Sequence, residues 1–328
     1  MCQLGAEPAL KDEVARLHPG WRFAFSRPGL VTWKTDAPVG ADVALGAVFA
    51  RAWGASLGKV DGDGAVLDAA RQLAPAVWQV FERDRSRPGE EAEGDEYGPL
   101  AAAVRARLGA PPERLPRPGE RVLDVIVAPD EPLWLGVHTH TATRSPHPGG
   151  RPPLVLPAEA PSRAWLKLEE ALAWAQLPLR RGQVAVEIGS SPGGASWALV
   201  QRGLTVVGVD PGDMDARVLA APGFSHIQAP LGELRREQLP DRVDWLLMDV
   251  NLAPQVAVHG VRRIVSTLRR SLRGVVFTLK LNDWKMAADV PALLERVTGM
   301  GLTEVRATQL PSNRREICVV GIHKKAGR

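Results

Sequence analysis

Three ionisable side chains stand where apolar runs in the second half of the chain end or begin. Asp249 follows the run Asp244–Met248, Lys280 follows 275–279, and Glu316 opens the last apolar run. In an open α/β sheet, ligands lie over the carboxyl ends of the parallel strands. If the last strand is antiparallel, its first residue lies at that same edge. The three groups are then expected to converge, and Lys167 of the preceding helix could join them.

Two lysines and two carboxylates form a set that can take a proton from a hydroxyl group. A lysine accepts a proton only when it is uncharged, and burial or a neighbouring cation lowers its pKa toward that state. We therefore assign Lys280 as the base, Asp249 and Lys167 as groups that steer its charge and the hydroxyl, and Glu316 as the group that orients a lysine.

A glycine-rich turn lies between an apolar run and a helix-like segment, in the sequence VAVEIGSSPGGA that ends at Ala195. Such a turn brings backbone N–H groups close to a ligand at a helix N-terminus. The turn is not a G-x-G-x-x-G, and its proline argues against a dinucleotide. A nucleoside-type cofactor is favoured over a turn that binds no ligand, because Asp210 ends the next strand and suits ribose hydroxyls. The predicted cofactor-binding residues are Gly189, Ser190, Ser191, Pro192, Gly193, Gly194, Ala195, Asp210 and Asp249.

Helices and strands alternate from Ser162 onward. Predicted helices cover 162–175, 254–271 and 290–298, and predicted strands cover 184–188, 205–209, 225–228, 244–249, 274–280, 303–308 and 316–322. Only seven residues join the last two strands, which is too few for a parallel crossover and predicts an antiparallel pair. The fold class is therefore α/β, with a Rossmann-like sheet whose last strand is antiparallel, the class I methyltransferase arrangement.

The first half of the chain is organised differently. Residues 1–55 predict a small α+β unit with a helix at 8–17 and strands at 22–26 and 30–34, whereas residues 56–98 are less regular and include an acidic loop at 87–96. A helix at 100–108 and a hairpin of strands 121–127 and 132–139 follow. Six prolines between positions 146 and 161 exclude a helix or central strand and predict a linker.

Composition restricts the function classes. The 328 residues are 45% hydrophobic and 24% charged, as in ordinary soluble proteins, and no apolar run reaches the length of a membrane helix. Only Cys2 and Cys318 are present, and no secretory pattern opens the chain, so we expect a cytoplasmic protein without a disulfide framework. Residues 161–328 carry 23 Lys and Arg against 16 Asp and Glu, while residues 1–160 carry 18 against 21. The basic second half suits a polyanionic substrate.

About half of the chain, residues 155–325, resembles the FtsJ-type ribose 2′-O-methyltransferases. The resemblance rests on the segment Pro161–Glu170, the turn Gly189–Gly194, and Asp249, Lys280 and Glu316. It implies S-adenosylmethionine as cofactor and a Lys-Asp-Lys-Glu catalytic tetrad at Lys167, Asp249, Lys280 and Glu316.

A closer resemblance is to the members of this family that methylate a cytidine ribose in 23S rRNA. It rests on 23–31, 156–163 and 313–317. It implies a ferredoxin-like unit at 1–55, a THUMP-like RNA-binding module at 56–145, a linker at 146–161 and the methyltransferase domain at 162–328. The implied partner is 23S rRNA or a large-subunit precursor, without a membrane. The methylated nucleotide, the assembly state of the substrate and the oligomeric state stay open.

Several alternatives stay open beside this interpretation. Glu187 stands where the family usually has Asp, and 228–233 lacks the Asp expected to hold the adenine amine. A non-catalytic RNA-binding or ribosome-assembly factor would not need the tetrad. The same fold could also act on another RNA, or on a base or a protein, although a base methyltransferase usually has an Asn/Asp-Pro-Pro-aromatic loop that is absent after Asp249. His138 and His140 could indicate a metal, but no Cys or carboxylate has ligand spacing, so we predict none. Arginines at 262, 263, 269, 270 and 273 fit either a solvated helix face or an RNA contact.

Overall fold

The computed structural model describes residues 1–83 and 98–323. The predicted acidic loop at 87–96 lies outside these residues. The chain divides into two compact units, unit 1 (Met1–Pro153) and unit 2 (Leu154–Arg328). Among the described residues, no helix combines the length and the apolarity needed to cross a bilayer.

Unit 1 contains two sheets with flanking helices. Its elements are α1 (Glu7–Leu17), β1 (Arg22–Arg27), β2 (Leu30–Lys34), β3 (Ala55–Val60), α2 (Asp63–Leu73), β4 (Val77–Glu82), α3 (Pro99–Arg107), β5 (Arg121–Val127) and β6 (Leu133–Thr139). Strands β1 and β2 form an antiparallel hairpin, and the other four form a mixed sheet in the order β3-β6-β5-β4. The predicted elements of residues 1–55 and the hairpin β5–β6 are confirmed.

The interpretation of residues 56–98 as less regular is wrong for the part that the structure describes. Strand β3, helix α2 and strand β4 follow one another with short turns. The register of β3 shifts between Ser56 and Gly58, so its burial does not alternate as a strand pattern should. Helix α2 buries only Val66 and Ala70, which leaves a weak apolar stripe.

The boundary between the units falls inside the proline-rich segment, after Pro153. The first residues of that segment pack on unit 1. Gln79 donates from Nε2 to the Pro146 carbonyl at 2.8 Å, and buried Arg51 donates from Nε to the Gly149 carbonyl at 3.0 Å. A Cβ on Gly150, whose φ is +74°, would lie 2.4 Å from Arg51 Cγ, so this close approach requires glycine.

Unit 2 is an α/β unit around a seven-stranded sheet. Its elements are α4 (Ala164–Ala175), β7 (Val184–Ile188), α5 (Gly194–Gln201), β8 (Thr205–Val209), α6 (Ala216–Leu219), β9 (Phe224–Ile227), β10 (Trp245–Met248), α7 (Pro254–Leu268), β11 (Gly274–Lys280), α8 (Val290–Thr298), β12 (Glu304–Thr308) and β13 (Glu316–Ile322). The strand order is β12-β13-β11-β10-β7-β8-β9.

Strands β7 to β11 are parallel, and β13 is antiparallel to both of its neighbours. The predicted antiparallel last strand is therefore confirmed, and it lies between β11 and β12 rather than at the sheet edge. All four residues of β10 are buried, as expected for a central strand covered on both faces. Asp249 follows β10, and Lys280 ends the neighbouring parallel strand β11, so both residues lie at the same edge of the sheet.

Candidate active site

Four elements of unit 2 bring Lys167, Asp249, Lys280 and Glu316 to one edge of the sheet. Lys167 lies in the first turn of α4, Asp249 follows β10, Lys280 ends β11 and Glu316 begins β13. Lys280 and Glu316 are direct partners in the antiparallel β11–β13 register, so their side chains leave the same face. The structure thus brings all four predicted catalytic residues together, and we call them the tetrad.

The two lysines of the tetrad are held differently by the two carboxylates. Lys167 Nζ lies 3.0 Å from Asp249 Oδ2 and 2.7 Å from Glu316 Oε2. Lys280 Nζ lies 3.7 Å from Asp249 Oδ1 and 3.8 Å from Glu316 Oε1, beyond hydrogen-bond distance. Lys167 is therefore fixed between the carboxylates, whereas Lys280 is free to turn its amino group toward a substrate.

The electrostatics of Lys167 follow from this geometry. Burial alone would lower its pKa, but the charges of Asp249 and Glu316 outweigh burial and raise the pKa above its ordinary value. Lys167 therefore keeps its proton and places a fixed positive charge between the two carboxylates.

The glycine turn fits tightly between two parts of the site. A Cβ on Gly189, whose φ is +83°, would lie 2.2 Å from the Asp249 carbonyl oxygen. A Cβ on Gly194 would lie 2.4 Å from the hydroxyl of Ser162, just before α4. Both positions require glycine because the turn packs against the segments that carry Asp249 and Lys167.

Asp210 ties the turn to the end of β8. Its carboxylate accepts hydrogen bonds from the backbone N–H of Ser191 at 3.2 Å and of Gly212 at 2.7 Å. The hydroxyl of Ser191 donates to the Asp213 carbonyl at 2.7 Å. A close-packed glycine turn at the N-terminus of α5, with a carboxylate at the next strand end, fits a cofactor that carries a ribose and an amino-acid group.

Glu187 is a buried carboxyl behind the turn to which the sequence prediction gave no role. It is 2% exposed, and Ser196 Oγ donates to its Oε2 at 2.5 Å. Burial raises the pKa of Glu187 to about 8, with Asp249 and Asp210 adding to the rise, so the group is protonated near neutral pH. Its signal in the sequence is a carboxylic acid inside the apolar run of β7.

Two further residues that hold the site were not predicted to do so. Glu170, buried on α4, accepts from the backbone N–H and the hydroxyl of Ser312, both at 2.8 Å. This contact ties the helix of Lys167 to the loop that precedes Glu316. Asn313 is fully buried beside a cavity of about 30 Å³ that Lys167, Glu187 and Asp249 also line. Only the finished fold brings these positions together.

The histidines considered for a metal site and the arginines considered for an RNA contact have other contacts in the structure. His138 is buried, and its Nδ1 lies 2.6 Å from Asp124 Oδ2. Within the described ranges no group of three or more His, Cys, Asp or Glu is arranged around a metal position.

Arg263 donates to the Leu234 carbonyl at 2.8 Å and Arg273 to Asp244 at 2.9 Å, so these two arginines hold unit 2 together. Cys2 and Cys318 are both buried, and they form no disulfide.

Comparison with known proteins gives the same assignment. The FtsJ-like methyltransferase family matches residues 160–288. Ribosomal RNA large subunit methyltransferase M of Halorhodospira halophila is 32% identical over 340 residues, covering 97% of this chain and 94% of that protein. The protein of the same name from Alkalilimnicola ehrlichii is 37% identical over 193 residues, which cover 56% of this chain and about half (51%) of that relative.

Among solved structures, a Burkholderia thailandensis 1,6-didemethyltoxoflavin-N1-methyltransferase with bound S-adenosylhomocysteine is 17% identical. The match covers 50% of this chain and 78% of the Burkholderia chain, with a TM-score of 0.37. The near full-length match to the Halorhodospira protein and the FtsJ-like match identify the chain as an S-adenosylmethionine-dependent methyltransferase that belongs to the ribosomal RNA large subunit methyltransferase M family.

Proposed function

We propose that the protein transfers the methyl group of S-adenosylmethionine to a ribose 2′-hydroxyl of 23S rRNA, at a cytidine. The observation that carries this proposal is the tetrad, in which two carboxylates lie between a fixed lysine and a free one. A hydroxyl group has a proton that must leave as its oxygen attacks, and the free lysine is placed to accept one.

S-adenosylmethionine supplies an electrophilic methyl group on a sulfonium. We assign its binding to the glycine turn 189–195. Asp210 would bind the ribose hydroxyls, and Asp249 would line the part of the site next to Gly189. Glu187, protonated near neutral pH, adds no negative charge beneath the turn and can donate a hydrogen bond. The backbone groups at the start of α5 complete the cradle.

Each tetrad residue then has a separate role in the reaction. S-adenosylmethionine held by the turn would supply its methyl group to the 2′-oxygen, with the sulfur keeping the electron pair of the broken bond, and Lys280 Nζ would accept the hydroxyl proton. Lys167, held charged by both carboxylates, keeps Asp249 and Glu316 in place beside Lys280. A positioned base contributes about 10²–10⁴-fold to such a rate, and alignment of the hydroxyl with the methyl group contributes further.

The rRNA part of the proposal is supported by the names of the relatives and by charge. Both reported relatives are named ribosomal RNA large subunit methyltransferase M. The excess of basic residues lies in 161–328, which suits a polyanion. We assign RNA binding to the first half as well, with a ferredoxin-like unit at 1–55 and a THUMP-like module at 56–145.

Methyl transfer from labelled cofactor to purified 23S rRNA, followed by digestion to nucleosides, tests the proposal. We expect the label in 2′-O-methylcytidine. A label in a base-methylated nucleoside would favour a base methyltransferase, and no transfer to free rRNA or to large-subunit precursors would favour a non-catalytic assembly factor.

A further inference from the structure

Unit 1 has a cavity that contains none of the tetrad residues and to which the proposed reaction assigns no step. Its volume is about 350 Å³, within the usual range of small-ligand sites. Residues of α1, the β1–β2 hairpin, the loop up to β3, and the sheet strands β4, β5 and β6 line it. Four of the ten tryptophans of the chain contribute to its wall, Trp21, Trp33, Trp53 and Trp134. Trp21 already stacks on His18 with ring centroids 4.1 Å apart, and aromatic side chains of this kind can also stack on a planar ligand.

Asp124 supplies a carboxylate in this apolar wall, and Met1, whose buried N-terminal ammonium group donates to the Ala52 carbonyl at 2.8 Å, also lines the cavity. Asp124 is 9% exposed, and its Oδ2 lies 2.6 Å from His138 Nδ1. Its other oxygen, Oδ1, accepts no hydrogen bond from the residues that the structure describes. Because a carboxylate only accepts, a ligand that satisfies Oδ1 must bring an N–H or O–H donor.

Cations already cover two of the tryptophans. The guanidinium of Arg144 lies 4.3 Å from the ring centroid of Trp53, and Lys59 Nζ lies 5.2 Å from that of Trp134. A cationic ligand in the same cavity would be repelled by both groups. Lys59 is exposed, so it can also pair with a phosphate. These charges favour a neutral planar ligand attached to an anionic backbone.

We propose that this cavity binds an unpaired nucleobase with an exocyclic amine, cytosine, adenine or guanine, from the RNA substrate. The tryptophans stack on the base, Asp124 accepts from its amine, and Lys59 contacts the neighbouring phosphate. Uracil presents a carbonyl oxygen where cytosine presents the amine, so Asp124 would repel it. The inference that the base comes from the RNA substrate rests on the proposed function. The preference for a base with an exocyclic amine follows from the residues of the cavity alone.

Fluorescence polarisation of the full-length protein with labelled pentanucleotides of cytidine, adenosine or uridine tests the assignment. We expect the cytidine and adenosine oligomers to bind about tenfold more tightly than the uridine oligomer, the usual effect of one buried hydrogen bond to a charged group. Asp124→Asn should remove or reverse this preference, because an amide donates to the uracil carbonyl. Its oxygen can still accept from His138, which preserves the wall. The matched control is Asp68→Asn, the same change at an exposed position of α2, and it should leave the preference intact.

Three outcomes would overturn the proposal. These are equal affinity for all oligomers in the unmodified protein, an unchanged preference in Asp124→Asn, and displacement of the oligomers by tetramethylammonium, which would identify a cation cage. The Lys280→Ala variant separates this proposal from the function. It should keep the base preference, and a protein that shows the preference but transfers no methyl group to rRNA would contradict only the proposed function.

Discussion

The tetrad edge of unit 2 and the tryptophan cavity of unit 1 place acidic side chains in opposite surroundings. Asp249 and Glu316 each face two lysines and lie partly open to solvent. Asp124 contacts one histidine and lines a cavity whose wall also includes four tryptophans. A cluster of opposite charges suits proton transfer, whereas a single acceptor in an apolar wall suits recognition. The contrast indicates that the protein divides chemistry and base reading between its two units.

Replacing Lys280 should give the largest effect. Lys280→Ala removes the proposed base but little apolar packing, so turnover should fall by about 10²-fold or more while cofactor binding is retained. Lys280→Arg should not restore turnover, because a guanidinium keeps its proton near neutral pH. Methyl-transfer kinetics and calorimetric titration with S-adenosylmethionine measure the two properties. If either variant methylates rRNA at a near-normal rate, Lys280 is an RNA-binding cation and the contrast between the units fails.

The buried acid behind the tetrad should give a pH-dependent stability. The pKa of Glu187 is about 8 in the folded protein against an ordinary value of 4.5, so the folded state keeps a proton that the unfolded chain loses. The free energy of unfolding should therefore fall as pH rises between these values, and Glu187→Gln should abolish this loss. The variant should gain on the unmodified protein by ~3 kcal/mol between pH 5 and pH 8, at 1.4 kcal/mol per pKa unit.

Urea unfolding of both proteins at the two pH values, without cofactor, measures that gain. A stability difference between the two proteins that does not change with pH would mean that Glu187 is ionised in the folded state. Glu187 would then add a third negative charge to those of Asp249 and Glu316.

Cofactor affinity should respond to the end of β8. Asp210→Ala removes an acceptor for ribose hydroxyls and for the backbone N–H groups of Ser191 in the turn and of Gly212 after β8, so S-adenosylmethionine should bind about 10- to 100-fold more weakly. Asp213→Ala is the matched control, because the Asp213 side chain is exposed and the contact of this residue with the turn is made by its backbone carbonyl, which accepts from the Ser191 hydroxyl. Unchanged affinity in Asp210→Ala would remove this residue from the site and confine cofactor binding to the turn and Asp249.

The smallest effect concerns the arginines of α7. Arg263 donates to the Leu234 carbonyl, so Arg263→Ala should lower the free energy of unfolding by about 1 kcal/mol, whereas Arg262→Ala, at the next exposed position, should not. Chemical denaturation measures both. A loss of rRNA affinity in Arg263→Ala at unchanged stability would make α7 an RNA-binding surface and extend recognition into unit 2.

The two sites also differ in how far the sequence predicts them. Strands β7, β8, β11 and β13 lie within their predicted bounds because apolar runs stop at glycines or charged residues there. Asp249, Lys280 and Glu316 follow from strand ends, since topology brings those ends to one edge, whereas the place of Lys167 on α4 follows from the family resemblance. The cavity instead combines residues from Trp21 to Trp134, and no local pattern relates them. The pKa of Glu187 is likewise a property of the packed core rather than of its neighbours in sequence.

The most direct test of the central claim is the pH dependence of single-turnover methyl transfer to 23S rRNA at saturating cofactor. Because Lys280 must lose its own proton before it can accept one from the 2′-hydroxyl, the rate in the unmodified protein should rise with pH. In Lys280→Ala the rate should be about 10²-fold lower and nearly independent of pH over the same range. A variant rate that rises with pH as steeply as that of the unmodified protein would contradict the assignment of Lys280 as the base.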